Sequence, residues 1–472
     1  MKVVDLVIKN CKIVVPKMGI FSAGIAVENG KVVAIASESH LPKADSVIDV
    51  KSNYVLPGVI DPHVHYGTIN PLAQDAKTET QSAAIGGVTT VMRHYRDAKS
   101  YFEGFDYEKQ TLKKNTLIDF AFQFIIMTDQ HLKEMRNYVG KLGVTSFKFF
   151  MSHKKGYLDA YARAHGVIGI DDGFLYLALK KMASFGPPLI ACLHAENQEI
   201  INRLEGKMRK TKQTNMAVWN DTRPNFTEEE SISRAIILGK LTGCPIYIVH
   251  MTSVEGARLV AKAKSAGLNV LAETCPIYLT FSRGDYKQLG VIGKASPPLR
   301  DTESIERLWR GVADGTIDTI GSDHGAKSRE IKIGKGDMWS ATPGFPGSAT
   351  MLPLLLSEGV NKRKIPLEKI VEVSSYNPAR IFGIYPKKGT IAIGSDADFT
   401  IIDLKKKVIV KPEILKSSAD WTIYDGWKFK GWPIMTIIRG NVIVEDGEIV
   451  GKNGTGKYIN RKLDGAQTSR KN

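Results

Sequence analysis

The sequence predicts an α/β protein: a (β/α)8 barrel in the middle of the chain, and a small β-sandwich built from both of its ends. Three observations carry this expectation. Between residues 56 and 389, eight short apolar runs alternate with segments of helical periodicity. Residues 1–55 and 390–455 read instead as short strands separated by turns. Neither terminal half has enough strands to bury a sheet alone, so the two are expected to pair, with the barrel inserted between them.

In chain order, strands are expected at 5–9, 24–27 and 32–35, with Asn29-Gly30 as the two-residue hairpin signal. The eight barrel strands are placed at 59–66, 89–95, 119–127, 146–151, 189–196, 245–252, 270–276 and 319–324. Helices fit between them, for instance over 228–241 and 254–266, where Gly243 and Gly267 stand in C-cap positions. Strands return at 399–403, 436–439 and 442–444, the last before an Asp446-Gly447 turn. Residues 456–472 read as a basic C-terminal tail. In the stretch from 452 onward, Lys452, Lys457, Arg461, Lys462, Arg470 and Lys471 face only Asp464, which predicts a mobile tail or an arm embracing another subunit.

Composition excludes several classes. With 43% hydrophobic and 24% charged residues, the 472-residue chain has the balance of a globular protein. No run of 18 or more apolar residues occurs, and the N-terminus has no signal-peptide pattern, so a cytoplasmic protein without membrane contact is expected. Cys11, Cys192, Cys244 and Cys275 lack C-x-x-C spacing and read as buried reduced thiols. The net charge of +16 is spread along the chain without a nucleic-acid motif, so it is read as a surface property and no nucleic-acid partner is expected.

Chemistry in such a barrel gathers at the C-terminal ends of the strands. Strand one ends in His63 and His65, which, two residues apart on a strand, point to one side. Strand four carries Lys148, strand five His194, strand six His250 and strand eight Asp323. Four of the ten histidines and an aspartate at one end of one barrel point to a metal site. Lys148, flanked by phenylalanines, is costly as a buried ammonium unless paired or modified. Pairing with Asp323 or Glu196 is one solution. Reaction with carbon dioxide to a carbamate, an anionic ligand able to bridge two cations, is the other.

These residues resemble the cyclic-amidohydrolase branch of the amidohydrolase superfamily, in particular the hydantoinase and dihydropyrimidinase group. The resemblance rests on Asp61-Pro62-His63-Val64-His65, Lys148, His194-Ala195-Glu196-Asn197, His250, Ser296-Pro297-Pro298-Leu299-Arg300 and Gly321-Ser322-Asp323-His324. It extends through Tyr376-Asn377-Pro378-Ala379-Arg380, the Gly389 to Asp398 segment, Gly431-Trp432-Pro433 and Arg439-Gly440. It implies two divalent metal ions, expected to be zinc: one held by His63, His65, carboxylated Lys148 and Asp323, the other by the carbamate, His194 and His250. Two such cations lower the pKa of a water between them towards neutrality. Asp323 then acts as the catalytic proton acceptor, and a small-molecule cyclic amide is opened to an N-carbamoyl amino acid. The resemblance also implies a homotetramer or homodimer.

The chain departs from that pattern at two substrate-binding positions. His153 stands where a tyrosine is usual, with Tyr157 and Tyr161 nearby as substitutes, and Pro343 stands where an asparagine is usual. Backbone atoms of Ser296 are expected to contact the imide. The neighbouring dihydroorotases use an arginine two residues beyond their H-x-H; here Gly67 follows Tyr66, which disfavours dihydroorotase and, less strongly, allantoinase activity. Tyr66, Ile69, Leu72, His94, Tyr95 and Phe149 are candidates for lining a pocket for a neutral or apolar ring substituent. A non-catalytic dihydropyrimidinase-like scaffold is the alternative of another class, and the six filled ligand positions argue against it.

Overall fold

The computed structural model describes residues 3–154 and 167–463. Tyr157 and Tyr161 lie outside the described residues, as does the chain from Asp464 onward.

Both ends of the chain build one nine-stranded mixed sheet. Its first five strands are β1 (Val4–Val15), β2 (Gly19–Glu28), β3 (Lys31–Ala36), β4 (Ala44–Asp49) and β5 (Tyr54–Pro57). The barrel follows, with β6 (Val59–Val64), β7 (Val88–Tyr95), β8 (Asp119–Ile125), β9 (Ser146–Phe150), β10 (Ile190–His194), β11 (Ile246–Ile248), β12 (Val270–Thr274) and β13 (Thr319–Ile320). The terminal sheet is completed by β14 (Phe399–Ile409), β15 (Lys428–Ile438), β16 (Asn441–Glu445) and β17 (Glu448–Ile449). The two ends join where β5 pairs antiparallel with β14, Val55 opposite Ile401. Ile8, Ile25, Val55, Phe399, Ile401 and Ile437 fill the core of this β-sandwich unit. The expected tight turns close its hairpins: Asn29 and Gly30, and Asp446 and Gly447, all have positive φ, as a type I′ turn requires.

The eight barrel strands are parallel and ordered consecutively from β6 to β13. Every residue of β6, β7 and β8 is buried, as expected of strands covered on both faces. The ring closes beyond the short β13, where Val64 bridges His324 and the His65 N–H donates to the His324 carbonyl at 2.7 Å. The helix Asn225–Thr242 ends on Gly243 with φ of 72°, and Val254–Ser265 is followed by Gly267 with φ of 74°. Both glycines take the left-handed turn that a β-carbon would strain.

β11 and β13 are shorter than the apolar runs that predict them. The reason is local: His250 and Asp323 have φ of 37° and 50°, so the chain leaves the extended conformation as it presents these two side chains.

The C-terminal segment differs from the expectation. Up to Leu463 it is not a loose tail but packs against the barrel's own N-terminal end. Phe120 N–H donates to the Lys457 carbonyl at 3.0 Å, and Ile459 N–H to the Phe120 carbonyl at 2.8 Å. Arg461 is 1% exposed, and its guanidinium donates to Ser146 Oγ at 2.9 Å and to the Phe122 carbonyl. Its charge belongs to the interior, which a count of basic residues does not reveal.

Barrel and sandwich are joined by a buried ion cluster. Lys388 Nζ lies 2.6 Å from Asp119 and 3.0 Å from Asp396, and also contacts Asp398; all four groups are buried. The three carboxylates raise the affinity of Lys388 for its proton above that of an ordinary lysine, overcoming its burial. Lys388→Met would leave buried carboxylates uncompensated and is expected to cost about 3–5 kcal/mol. A lowered midpoint in urea unfolding checks this; an unchanged midpoint contradicts it.

Candidate active site

A cavity of about 380 Å³ opens at the C-terminal ends of the barrel strands. All six residues singled out as ligands line it: His63, His65, Lys148, His194, His250 and Asp323. So do His153, Ser296 and Pro343.

The tightest group is formed by β6 and the end of β13. His63 Nε2 and His65 Nε2 stand 3.2 Å apart, and Asp323 Oδ1 is 3.2 Å from the first and 2.9 Å from the second. Donors bound to one zinc at 2.0–2.1 Å stand roughly 3 Å apart, so this triangle has the size of a cation's coordination face. The electrostatics agree. Burial pushes His65 down to about 4 and His250 well below the ordinary histidine value, leaving neutral imidazoles with lone pairs to offer. Burial pushes the Asp323 carboxyl up, but His63 and His65 overcome this and hold it well below the usual carboxylate range.

The second group is His194 and His250, whose rings stand 4.4 Å apart; His250 lies 5.5 Å from His63. Lys148 bears on the choice between pairing and modification. Its Nζ is buried without a hydrogen-bond partner among the described residues, while Asp323 is held by the histidines and Glu196 by His194. Burial pushes its pKa down to about 8. A fully buried amine without a hydrogen-bond partner, lining one cavity with four imidazoles and a carboxylate, leaves an unsatisfied polar group that calls for a chemical explanation.

Three carboxylates hold this arrangement, of which the sequence reading passed over Glu273. Glu273, at the end of β12, accepts a hydrogen bond from His63 Nδ1 at 2.7 Å, from Tyr247 Oη at 2.8 Å and from the His250 N–H at 3.1 Å. It fixes the His63 tautomer that leaves Nε2 free for a ligand. Glu196 orients His194 through the other ring nitrogen, its Oε2 2.7 Å from Nε2, which leaves Nδ1 free for a ligand. Asp61 locks β6 to the end of β13, accepting from the Ser322 N–H at 3.0 Å and from Ser322 and Ser348 hydroxyls. The available signal was an acidic residue inside an apolar strand: Glu273 in Val270-Leu271-Ala272-Glu273-Thr274 occupies a slot where an unpaired carboxylate would be untenable.

His94 lines the cavity and stands edge-on to His63, with ring centroids 4.2 Å apart, and among the described residues both its nitrogens are buried without partners. The donor atoms of His63, His65 and His94 all lie within 4.8 Å of one another. Of the other candidates for an apolar wall, Tyr66 and Ile69 line the cavity, whereas Leu72, Tyr95 and Phe149 pack into the surrounding core. Arg93, Arg96 and Lys327 line it as well. Gly67 does not leave its corner uncharged, because a β-carbon there would stand 3.2 Å from Arg93 Nη2. Pro343 offers its carbonyl, but to Lys327, whose ammonium donates to it.

Comparison with known proteins identifies the family. The amidohydrolase family profile matches residues 54–443. L-hydantoinase of Paenarthrobacter aurescens is 34% identical over 464 residues, covering 97% of this chain and 98% of that protein. An allantoinase of Solibacter usitatus is 33% identical over 463 residues, covering 97% of each chain. Among solved structures, L-hydantoinase (dihydropyrimidinase) from Arthrobacter aurescens superposes with a TM-score of 0.90 at 33% identity, over 97% of this chain and 100% of that one. A D-hydantoinase crystal structure gives 0.89 at 32% identity, over 96% and 98%. By profile, length and fold, the chain belongs to the amidohydrolase family, and within it to the hydantoinase and dihydropyrimidinase group.

Proposed function

We propose that this protein is a metal-dependent cyclic amidohydrolase that opens a hydantoin or dihydropyrimidine ring at its C–N amide bond, releasing an N-carbamoyl amino acid. The observation that carries the reading is the orphaned Lys148 amine among four imidazoles and Asp323, all lining one cavity at the functional end of the barrel. His63, His65 and Asp323 would hold one divalent cation, and His194 and His250 a second. Lys148 would bridge them as a carbamate, formed when its neutral amine adds carbon dioxide and releases a proton. Zinc suits this imidazole and carboxylate set, as do manganese and cobalt. Bound there, such cations supply Lewis acidity, polarising an amide carbonyl and making a water acidic near pH 7.

The chain's own residues then handle protons and orientation. Asp323 takes the proton from the water that adds to the ring carbonyl carbon. It returns that proton to the ring nitrogen as the C–N bond breaks, so one water is consumed and the leaving nitrogen stays attached as part of a urea group. His153 and the Ser296 backbone border the place of the ring and would donate to or accept from the imide. In this reading Pro343 contributes its loop rather than its carbonyl, which Lys327 occupies. The reading includes a cytoplasmic homotetramer or homodimer. Among the described residues no helix is long and apolar enough to cross a membrane.

A ring-opening assay on metal-loaded protein tests the reaction, comparing hydantoin, a 5-substituted hydantoin, dihydrouracil, dihydroorotate and allantoin. Turnover of a hydantoin or of dihydrouracil is expected; turnover of allantoin or dihydroorotate alone would move the substrate to a neighbouring branch. Glu273→Gln tests the support of the site. An amide satisfies only part of the three bonds made by the carboxylate, so metal affinity is expected to fall about 10–100-fold, measured by competition with a chromophoric chelator. An unchanged affinity would mean that His63 needs no such orienting partner.

A further inference from the structure

The cavity is charged in a way that ring opening does not require. Among the described residues that line it, Asp323 is the one carboxylate, and it is engaged by His63 and His65. Against it stand Arg93, Arg96 and Lys327, besides Lys148. Arg93 is balanced by Glu108 at 2.7 Å. Lys327 feels Asp323 across the cavity but has no ion-pair partner of its own among the described residues. It is 5% exposed, no carboxylate lies within 4 Å of its ammonium among the described residues, and its partner is the neutral carbonyl of Pro343. An ammonium has three N–H donors, so two of them remain for something else.

The surroundings deepen the deficit. Behind Lys327 lies Lys332, fully buried, whose Nζ donates to the carbonyls of Lys294 at 2.7 Å and Gly344 at 3.0 Å. Lys294, buried too, donates to the carbonyls of Met338 and Ala341, each at 2.6 Å. Three lysine side-chain nitrogens are thus gathered around one loop, each donating to backbone carbonyls. Lys327 is the member that reaches the cavity wall. Gly344 keeps that wall thin: its φ is +96°, and a β-carbon there would stand 3.2 Å from Lys327 Nζ. A buried cation held by a neutral acceptor is costly, and an anion entering from the cavity side removes the cost.

Resting on the ring-opening reading, we propose that the substrate is an anionic cyclic amide, one whose ring substituent carries a carboxylate, and that Lys327 is the residue that receives that carboxylate. The ring lies over the histidines while the substituent points to the wall formed by Lys327, Pro343 and Gly344. The carboxylate accepts from the two N–H groups that Pro343 leaves unused. Lys327 is then a specificity-determining residue, which explains why this position is an ammonium although the neighbouring Pro343 carbonyl needs only a single donor. The expected apolar substituent is replaced by a charged one.

A pair of substrates of equal shape tests this on the intact metal-loaded protein: hydantoin-5-acetic acid and its primary amide. The acid is expected to be opened with kcat/KM at least tenfold above the amide, mainly through KM. In Lys327→Met that ratio is expected to collapse towards one, and in Lys327→Arg to persist. Equal kcat/KM for acid and amide in the unaltered protein would overturn the proposal while leaving ring opening standing, and needs no variant to fold. Failure to open either compound or any neutral hydantoin, with metal bound, would overturn the ring-opening reading itself.

Discussion

Lys148→Ala is expected to lose bound metal and ring-opening activity together, with the rate falling by about three powers of ten or more, since a bridging ligand supports several kcal/mol of transition-state stabilisation. The expectation comes from what Lys148 lacks. A fully buried lysine whose amine has no hydrogen-bond partner among the described residues sets a desolvation cost against little more than its attraction to Glu273 and Asp323. Lys148→Met, which keeps the length and removes the amine, separates the two effects. Burial holds the Lys148 pKa at about 8, below its ordinary value of 10.5. Between those two pH values the unfolded chain binds more protons at this position than the folded one, so this residue makes the metal-free protein more stable as pH rises through that window, and at lower pH its full penalty applies. Lys148→Met is expected to lose that part of the pH dependence in urea unfolding, and to be no less stable than the unaltered metal-free protein at pH 7. Carbon-13-labelled bicarbonate offers a direct readout, a carbamate carbonyl resonance present in the unaltered metal-loaded protein and absent from both variants. A variant that keeps both metal and activity would sink the bridging role.

The legible part of this protein is the part written along single strands. The His63 and His65 pair, the lysine between phenylalanines, and the histidines and aspartate that end apolar runs can be read one strand at a time, and the barrel rule then brings them to one end. Features made by residues far apart in sequence were not legible. Glu273 supports His63 from 210 positions away, a partnership that exists only once β12 and β6 share a barrel. Lys294, Lys327 and Lys332 are ordinary lysines in a basic sequence until the fold gathers their side-chain nitrogens around one loop. Arg461 shows the same limit from the other side, because a basic residue near the end of the chain gave no sign that it would sit beneath β8 and β9. The shortened β11 and β13 have a related cause: the positive φ of His250 and Asp323 is imposed by where their side chains must point, not by local propensity.

That backbone conformation makes Asp323 the most informative residue to change. At φ of 50°, most side chains are strained, but asparagine tolerates the left-handed region nearly as well as aspartate does. Asp323→Asn should therefore keep the chain path and still offer an oxygen at the position 2.9 Å from His65 Nε2 and 3.2 Å from His63 Nε2. What it loses is the ability to take up a proton. If Asp323 moves the proton from water to the departing nitrogen, kcat is expected to fall about 10²–10⁴-fold, the range for a positioned acid–base group. The protein would still bind metal, with weaker affinity because the charge is gone. Asp323→Ala, which removes the oxygen and strains the turn as well, is expected to lose metal outright. Metal content measured beside kcat separates the roles. An Asp323→Asn protein that holds its metal yet turns over at the unaltered rate would show that another group carries the proton. With Glu196 held by His194 and Glu273 by His63, no second carboxylate is free to take that role among the described residues that line the cavity.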